Sequence, residues 1–310
     1  MLKQAIDIYE LLDSPKVNGL EVVEFFKAQG IENVSFQTVM GEKGSTDFVR
    51  IFIPGTQGKS TGGTAPTLGI VGRLGGIGAR PEAIGFVSDG DGCAAALTSA
   101  LKLGKMHNLG DKLAGDIIIN THICPDAPTL PHEPVPFMDS PVDIITMNQY
   151  EVEKEMDAII SLDTTKGNKI MNYKGIAISP TVKEGYILKT SSDLVDILEI
   201  VTGNAANVFP LSQQDITPYG NGLYHINSIL QPAVATSAPV VGVAITAGVP
   251  VPGCATGASH IVDIGLAARF TIEVAKVFGT KQISLYDANE FERIQKLYGS
   301  MKVFQTLGEK

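Results

Sequence analysis

Tryptophan is absent from this sequence, cysteine occurs only three times, and lysine plus arginine number 24 against 33 for aspartate plus glutamate. Each shortage excludes something. Cys93, Cys124 and Cys254 are odd in number and widely spaced, so they supply no disulfide framework and fit a reducing compartment. A net charge of -9 without any basic cluster leaves no positive surface to meet phosphates, which argues against a nucleic-acid partner. No apolar run is long enough to span a bilayer. Met1 to Leu12 reads as an amphipathic helix carrying Lys3, Asp7 and Glu10, without the basic n-region or small-residue cleavage site of a signal peptide. The expectation is a cytoplasmic protein, with neither membrane nor nucleic acid as partner.

What is present points to a globular α/β chain. Apolar residues make up 44% and charged residues 18%, and 310 residues can bury a substantial core as one large α/β domain or two smaller ones. Glycine is abundant at 33, as expected where strands and helices alternate over short turns. Asn18, with Glu21 three residues on, reads as a capping box before an apolar helix ended by Gly30. Residues 33–40 and 47–53 read as a β-hairpin turned at 41–44, and 55–64 as a flexible loop. Apolar strands follow at 66–71, 116–121, 157–162 and 237–247, with strands or strand ends at 174–180 and 182–188 and a short strand at Val208 and Phe209. Helices are expected at 147–156 on the surface, from Ser191 or Ser192 to Gly203, from Val262 to Phe278, and in the tail from Asp287 to Tyr298.

The most informative stretch is Phe86 to Leu103. Asp89 and Asp91, separated by glycine, stand before a run whose apolar residues recur at helical spacing, with Ala94, Ala95 and Ala96 small enough for close packing on a sheet. An Asp at a helix start serves equally as an N-cap or as a metal ligand, and the residues alone leave both open. The glycines from Gly72 to Gly78 fail the dinucleotide fingerprint, because Leu74 occupies the third position and Arg80-Pro81 interrupts any helix. His122 and Cys124 follow a central strand and form a candidate metal pair, and residues 125–141, with six prolines, read as a rigid loop. Asp163 ends another strand at a turn, and His260 stands at the entrance of the longest C-terminal helix.

The order of these segments resembles the zinc exopeptidase superfamily of aminoacylases, carboxypeptidases and aminopeptidases with co-catalytic metals. The whole also resembles an uncharacterised conserved prokaryotic family of about 300 residues related to them. The resemblance implies a three-layer α/β/α fold with a central mixed sheet of the phosphorylase/hydrolase kind, in one domain spanning 1–310 without an inserted lid. It implies Asp89 as the metal-bridging ligand, Asp126 and His260 as further ligands, and Asp163 facing the place of a second ion. Two motifs depart from it. Gly72-Arg73-Leu74-Gly75 replaces the Gly-His-x-Asp of the superfamily, and Pro125-Asp126 replaces its paired glutamates. The reading is therefore a metal-dependent hydrolase of an amide or peptide bond in a small amino-acid-like substrate, holding one zinc or other divalent metal per chain. In it Arg73 pairs with Asp163 or Asp89 in place of the lost metal or holds a substrate carboxylate, and His122 is the nearest base. Asn221 and His225 lie in a glycine-rich segment that resembles the loop and helix shaping the substrate pocket. The alternative is a catalytically inactive relative that binds a small ligand or serves as a subunit, and the resemblance further implies a homo-oligomer.

Overall fold

The computed structural model describes residues 1–14, 16–73, 75, 85–124, 127–133, 137–254 and 256–308. Its elements run α1 (Leu2–Leu12), α2 (Gly19–Ala28), β1 (Val34–Gly41), β2 (Gly44–Ile53), β3 (Leu68–Gly72), α3 (Asp91–Asn108), β4 (Ile117–Ile123), β5 (Thr129–Leu130) and β6 (Phe137–Met138). Then follow α4 (Ile144–Glu151), β7 (Ala158–Thr165), β8 (Gly175–Ile178), β9 (Val182–Lys183), β10 (Tyr186–Ile187), α5 (Ser192–Thr202), β11 (Val240–Thr246), α6 (Ile261–Phe278) and α7 (Ala288–Tyr298).

Nine strands form one mixed sheet in the order β1-β2-β4-β3-β7-β11-β9-β10, with β8 also on β11, and β5 with β6 makes a separate ribbon. The centre is parallel, β4 with β3, β3 with β7 and β7 with β11, and antiparallel pairs flank it on both sides. Parallel strands need both faces covered, and the sequence meets that need with unbroken burial along β3, β4 and β11. Alternation then sorts side chains between two cores. Ala158, Ile160 and Leu162 of β7 and Val241, Val243 and Ile245 of β11 join the larger core under the α1, α3, α5 and α6 layer. Ile159 of β7 and Val240 and Ala244 of β11 face a smaller core capped by Phe209, Ile216, Ile229 and Leu230. The result is the expected three-layer α/β/α arrangement about a mixed sheet. Among the described residues no helix is long and apolar enough to cross a membrane.

The local chemistry explains most boundaries and three departures. Asn18 accepts the Glu21 N–H and Ser191 that of Leu194, as the capping patterns require. Residues 182–188 break into two short strands because Glu184 (φ 49) and Gly185 (φ 81) turn left-handed between them. The helix expected on the surface at 147–156 is α4, and it is not a surface helix where it matters: Met147, Asn148 and Glu151 are buried against the sheet. The stretch 55–64, expected to be flexible, wraps around buried Asp116. That carboxylate accepts the Gly55 N–H at 2.8 Å, the Ser60 N–H at 2.9 Å and the Ser60 hydroxyl at 2.8 Å. Gly58 permits it, since a Cβ there would lie 1.9 Å from the carboxylate.

Asp116→Ala should therefore strip three charge-assisted hydrogen bonds from this loop. The expected result is a loss of about 3 kcal/mol in denaturant unfolding, with proteolytic cleavage appearing within residues 55–64.

Candidate functional site

The parity that divides the two cores also aims the polar residues. Arg73 follows β3 in step with Val71, His122 lies on β4 in step with Ile118, and Asp163 lies on β7 in step with Ile159. All three therefore leave the sheet on the face of the smaller core, at the carboxyl ends of neighbouring parallel strands, where open α/β sheets place their sites. Asp89 comes from the 3-10 turn Ser88–Gly90 and Asp91 is the first residue of α3.

Arg73 is completely buried. Its Nε lies 2.7 Å from Glu151 Oε2, a side chain also without exposure, and its Nη2 donates to Asn148 Oδ1 at 2.5 Å. The Nε contact is an ion pair without the direction of a hydrogen bond, and Nη1 has no hydrogen-bond partner. Glu151 Oε1 lies 2.5 Å from His122 Nδ1, while His122 Nε2 receives the Gly75 N–H at 3.1 Å. A ring nitrogen that accepts carries no proton, so the hydrogen sits on Nδ1 and is donated to Glu151, which fixes a neutral tautomer. Arg73 thus pairs with Glu151, which corrects the expected pairing with Asp163 or Asp89. It is also too enclosed to hold a substrate carboxylate. Both His122 nitrogens are engaged, which leaves no free base there and no metal pair with Cys124, whose sulfur meets Thr46 Oγ1 at 3.3 Å. Burial pushes the Cys124 and Cys93 thiols up to about 12, so neither offers a thiolate.

Neither Asp89 nor Asp91 caps α3, because its N-cap is Gly90 and no side chain accepts there. Asp91 instead receives the buried Lys166 ammonium and, at 2.5 Å, the Ser259 hydroxyl. Asp163 accepts the Thr164 N–H at 2.6 Å and the Ser228 hydroxyl at 2.8 Å. Among the described residues Asp89 accepts one N–H, from Met138 at 3.2 Å, and Gly253 closes on its carboxylate so tightly that a Cβ would stand 2.3 Å from Oδ1. Burial raises the carboxyls of Asp89, Asp91 and Asp163 alike to about 6, with Asp163 adding to the rise at Asp89 and Lys166 opposing it at Asp91. Burial, helped by Asp163, likewise raises the Tyr219 phenol, which stands beside Ser228. Among the described residues, four buried carboxylates, Asp89, Asp91, Glu151 and Asp163, share this end of the sheet with Lys166, which pairs with Asp91, and Arg73, which pairs with Glu151. Asp89 and Asp163 form no ion pair there and feel Lys166 and Arg73 only at longer range.

The remaining expected residues stand apart. His260 is the N-cap of α6, exposed, with no side-chain capping bond. Asp126 lies outside the described residues. Asn221 and His225 are turned into their own loop: Asn221 Nδ2 donates to Thr217 Oγ1 at 2.8 Å, and His225 Nε2 lies 2.9 Å from the Thr217 carbonyl. The helix expected with them is absent, and buried Asp215 shapes the segment by accepting the Ile226 N–H at 2.7 Å. Among the described residues no three His, Cys, Asp or Glu side chains form a group able to hold a metal. Glu151, Asn148, Lys166, Ser228 and Tyr219 escaped the sequence reading. Their signal was weak, although Lys166, three residues after a strand-end Asp, was open to consideration as its neighbour.

A family model described as "Protein of unknown function (DUF1177)" matches residues 37–308. The match bears out the resemblance to an uncharacterised family of about this length, and nothing in it extends to the zinc exopeptidases. No curated protein matches the chain.

Two outcomes follow from this geometry. Glu151→Gln leaves Arg73 without its counter-charge, and denaturant unfolding should show a loss of about 3 kcal/mol or more. Asp89 behaves oppositely. A carboxyl raised from 3.8 to about 6 holds its proton where the unfolded chain has released it, so its stabilising contribution is full below pH 3.8 and lost as pH rises through about 6. In chelator-treated protein Asp89→Asn should therefore gain up to about 3 kcal/mol over the wild type at pH 8. That advantage should vanish by pH 4 in unfolding curves across pH.

Proposed function

We propose that this chain, which belongs to the DUF1177 family, is a metal-dependent hydrolase of an amide bond in a small, amino-acid-like molecule or short peptide, with a reduced form of the zinc exopeptidase site. The observation that carries the reading is the pair of buried carboxylates, Asp89 and Asp163, which form no ion pair among the described residues, at the carboxyl ends of the parallel strands. Leaving two such charges bare is costly, and a divalent ion removes that cost while accepting oxygen donors of this kind. The fit is to one ion. Asp89 and Asp163 would hold it, with a further donor from outside the described residues, where Asp126 lies; exposed His260 is not drawn in by any contact. In this reading the Arg73 guanidinium and its Glu151 partner would stand in the place of a second ion.

When bound, such an ion polarises the substrate carbonyl and makes a water acidic. The chain's own groups do the positioning. Ser228 and the Thr164 N–H fix the Asp163 carboxylate, Lys166 pairs with Asp91, and Asp89 is the most accessible of the three acids at 8% exposure. With His122 fully engaged, no described side chain is set apart as a general base. That observation favours a second reading, a non-catalytic relative that binds a small ligand through the same cation.

Calorimetric titration of zinc and manganese into chelator-treated protein, followed by a screen of acyl-amino acids and dipeptides, separates the readings. The hydrolase reading expects about one equivalent bound, turnover that chelation abolishes, and loss of both in Asp89→Asn and Asp163→Asn. Uptake without turnover selects the ligand-binding relative. Absence of uptake in the wild type overturns the metal site itself.

A further inference from the structure

The edge strand β1 is built as few exposed edges are. Its register with β2 runs unbroken from Val34↔Ile51 to Gly41↔Gly44, and Phe52 donates its N–H to the Asn33 carbonyl at 2.9 Å. The odd-numbered residues of β1 therefore turn their backbone groups toward β2, and Phe36, Thr38 and Met40 turn theirs outward. Among the described residues those outward N–H and C=O groups have no backbone or side-chain partner. Natural edges are normally blunted by charge, proline, a bulge or shortness. Val34–Gly41 has eight residues and none of these devices, while Phe36 is 38% and Met40 76% exposed. The opposite edge strand, β10, has two residues.

We propose that β1 pairs antiparallel with β1 of a second copy of this chain about a two-fold axis at Thr38, joining two sheets into one. A two-fold pairing is self-complementary by construction, and this register is the one that suits the side chains. It sets Phe36 of each copy beside Met40 of the other on the same face, covering the two exposed apolar residues with a sulfur–ring contact. It sets Lys43 of each copy next to Glu32 of the other, opposite charges at both ends of the ribbon, and the strand itself carries no charge to repel its twin.

The test is sedimentation equilibrium of the full chain. The wild type should be a dimer, and Thr38→Lys, which sets two ammonium groups face to face, should weaken association at least tenfold. Thr38→Pro removes an N–H without a partner among the described residues, together with the hydroxyl that donates to Asp47 Oδ1 at 2.5 Å, so it should give a folded monomer with the circular dichroism of the wild type and at most a small fall in the unfolding midpoint. Thr38→Cys should form an intermolecular disulfide on mild oxidation, because paired residues across such a ladder lie about 5.5 Å apart, and the native cysteines are all buried. A monomeric wild type overturns the proposal. So does a dimer that both Thr38→Lys and Thr38→Pro leave intact and Thr38→Cys fails to cross-link.

Discussion

Glu151 is the side chain on which one face of the sheet depends. It is wholly buried at the end of α4, it meets Arg73 beyond β3 and His122 on β4, and its backbone carbonyl accepts Asn120 Nδ2 at 2.9 Å. One residue therefore joins a helix to two adjacent parallel strands at the level where their carboxyl ends open. A buried ion pair gains little over a well-packed apolar one, because desolvation consumes most of the Coulombic attraction. Its effect is positional instead: with Asn148 bonded both to Arg73 and to the Gln231 carbonyl, α4 is registered against the loop that carries Tyr219 and Ser228.

That registration reaches the site through the same loop. Gln231 Oε1 accepts the Tyr219 N–H at 3.3 Å and its Nε2 donates to the Thr217 carbonyl at 2.8 Å, while Ser228 reaches Asp163. A second tie runs on the other side, where Lys166 and Ser259 both hold Asp91 and the Lys166 carbonyl accepts the Val251 N–H at 3.1 Å. Asp89 and Asp163 sit between these two ties. Their desolvation follows from that placement: each strand end is closed by a loop that is itself hydrogen-bonded to a buried charge.

The sequence made legible whatever depends on neighbours along the chain. The β1–β2 hairpin, the apolar centre of β4, the capped starts of α2 and α5 and the compact α3 were readable because period, cap and turn act over a few residues. Glu151 was not, because an eight-residue helix of mixed polarity reads as a surface element until the strand that buries it is known. Asp116 was hidden for a related reason, since its partners Gly55 and Ser60 lie 61 and 56 residues away. Arg73, His122 and Asp163 were read at or just after strand ends and Asp89 at a helix start, and the structure sets all four toward one end of the sheet. The partners assigned to Arg73 and His122 were wrong, because the carboxylate they share came from a helix that no local signal tied to them.

The guanidinium at position 73 bears on how much positive charge the proposed site could accept. Arg73 is compensated by Glu151 and Lys166 by Asp91, and the His122 tautomer is neutral, so among the described residues of the site the charge outside an ion pair is that of Asp89 and Asp163. One divalent ion would balance it. A second would bring more positive charge than these two carboxylates balance, beside a buried guanidinium already present. On that reading the buried Arg73–Glu151 pair is what would limit the site to one cation.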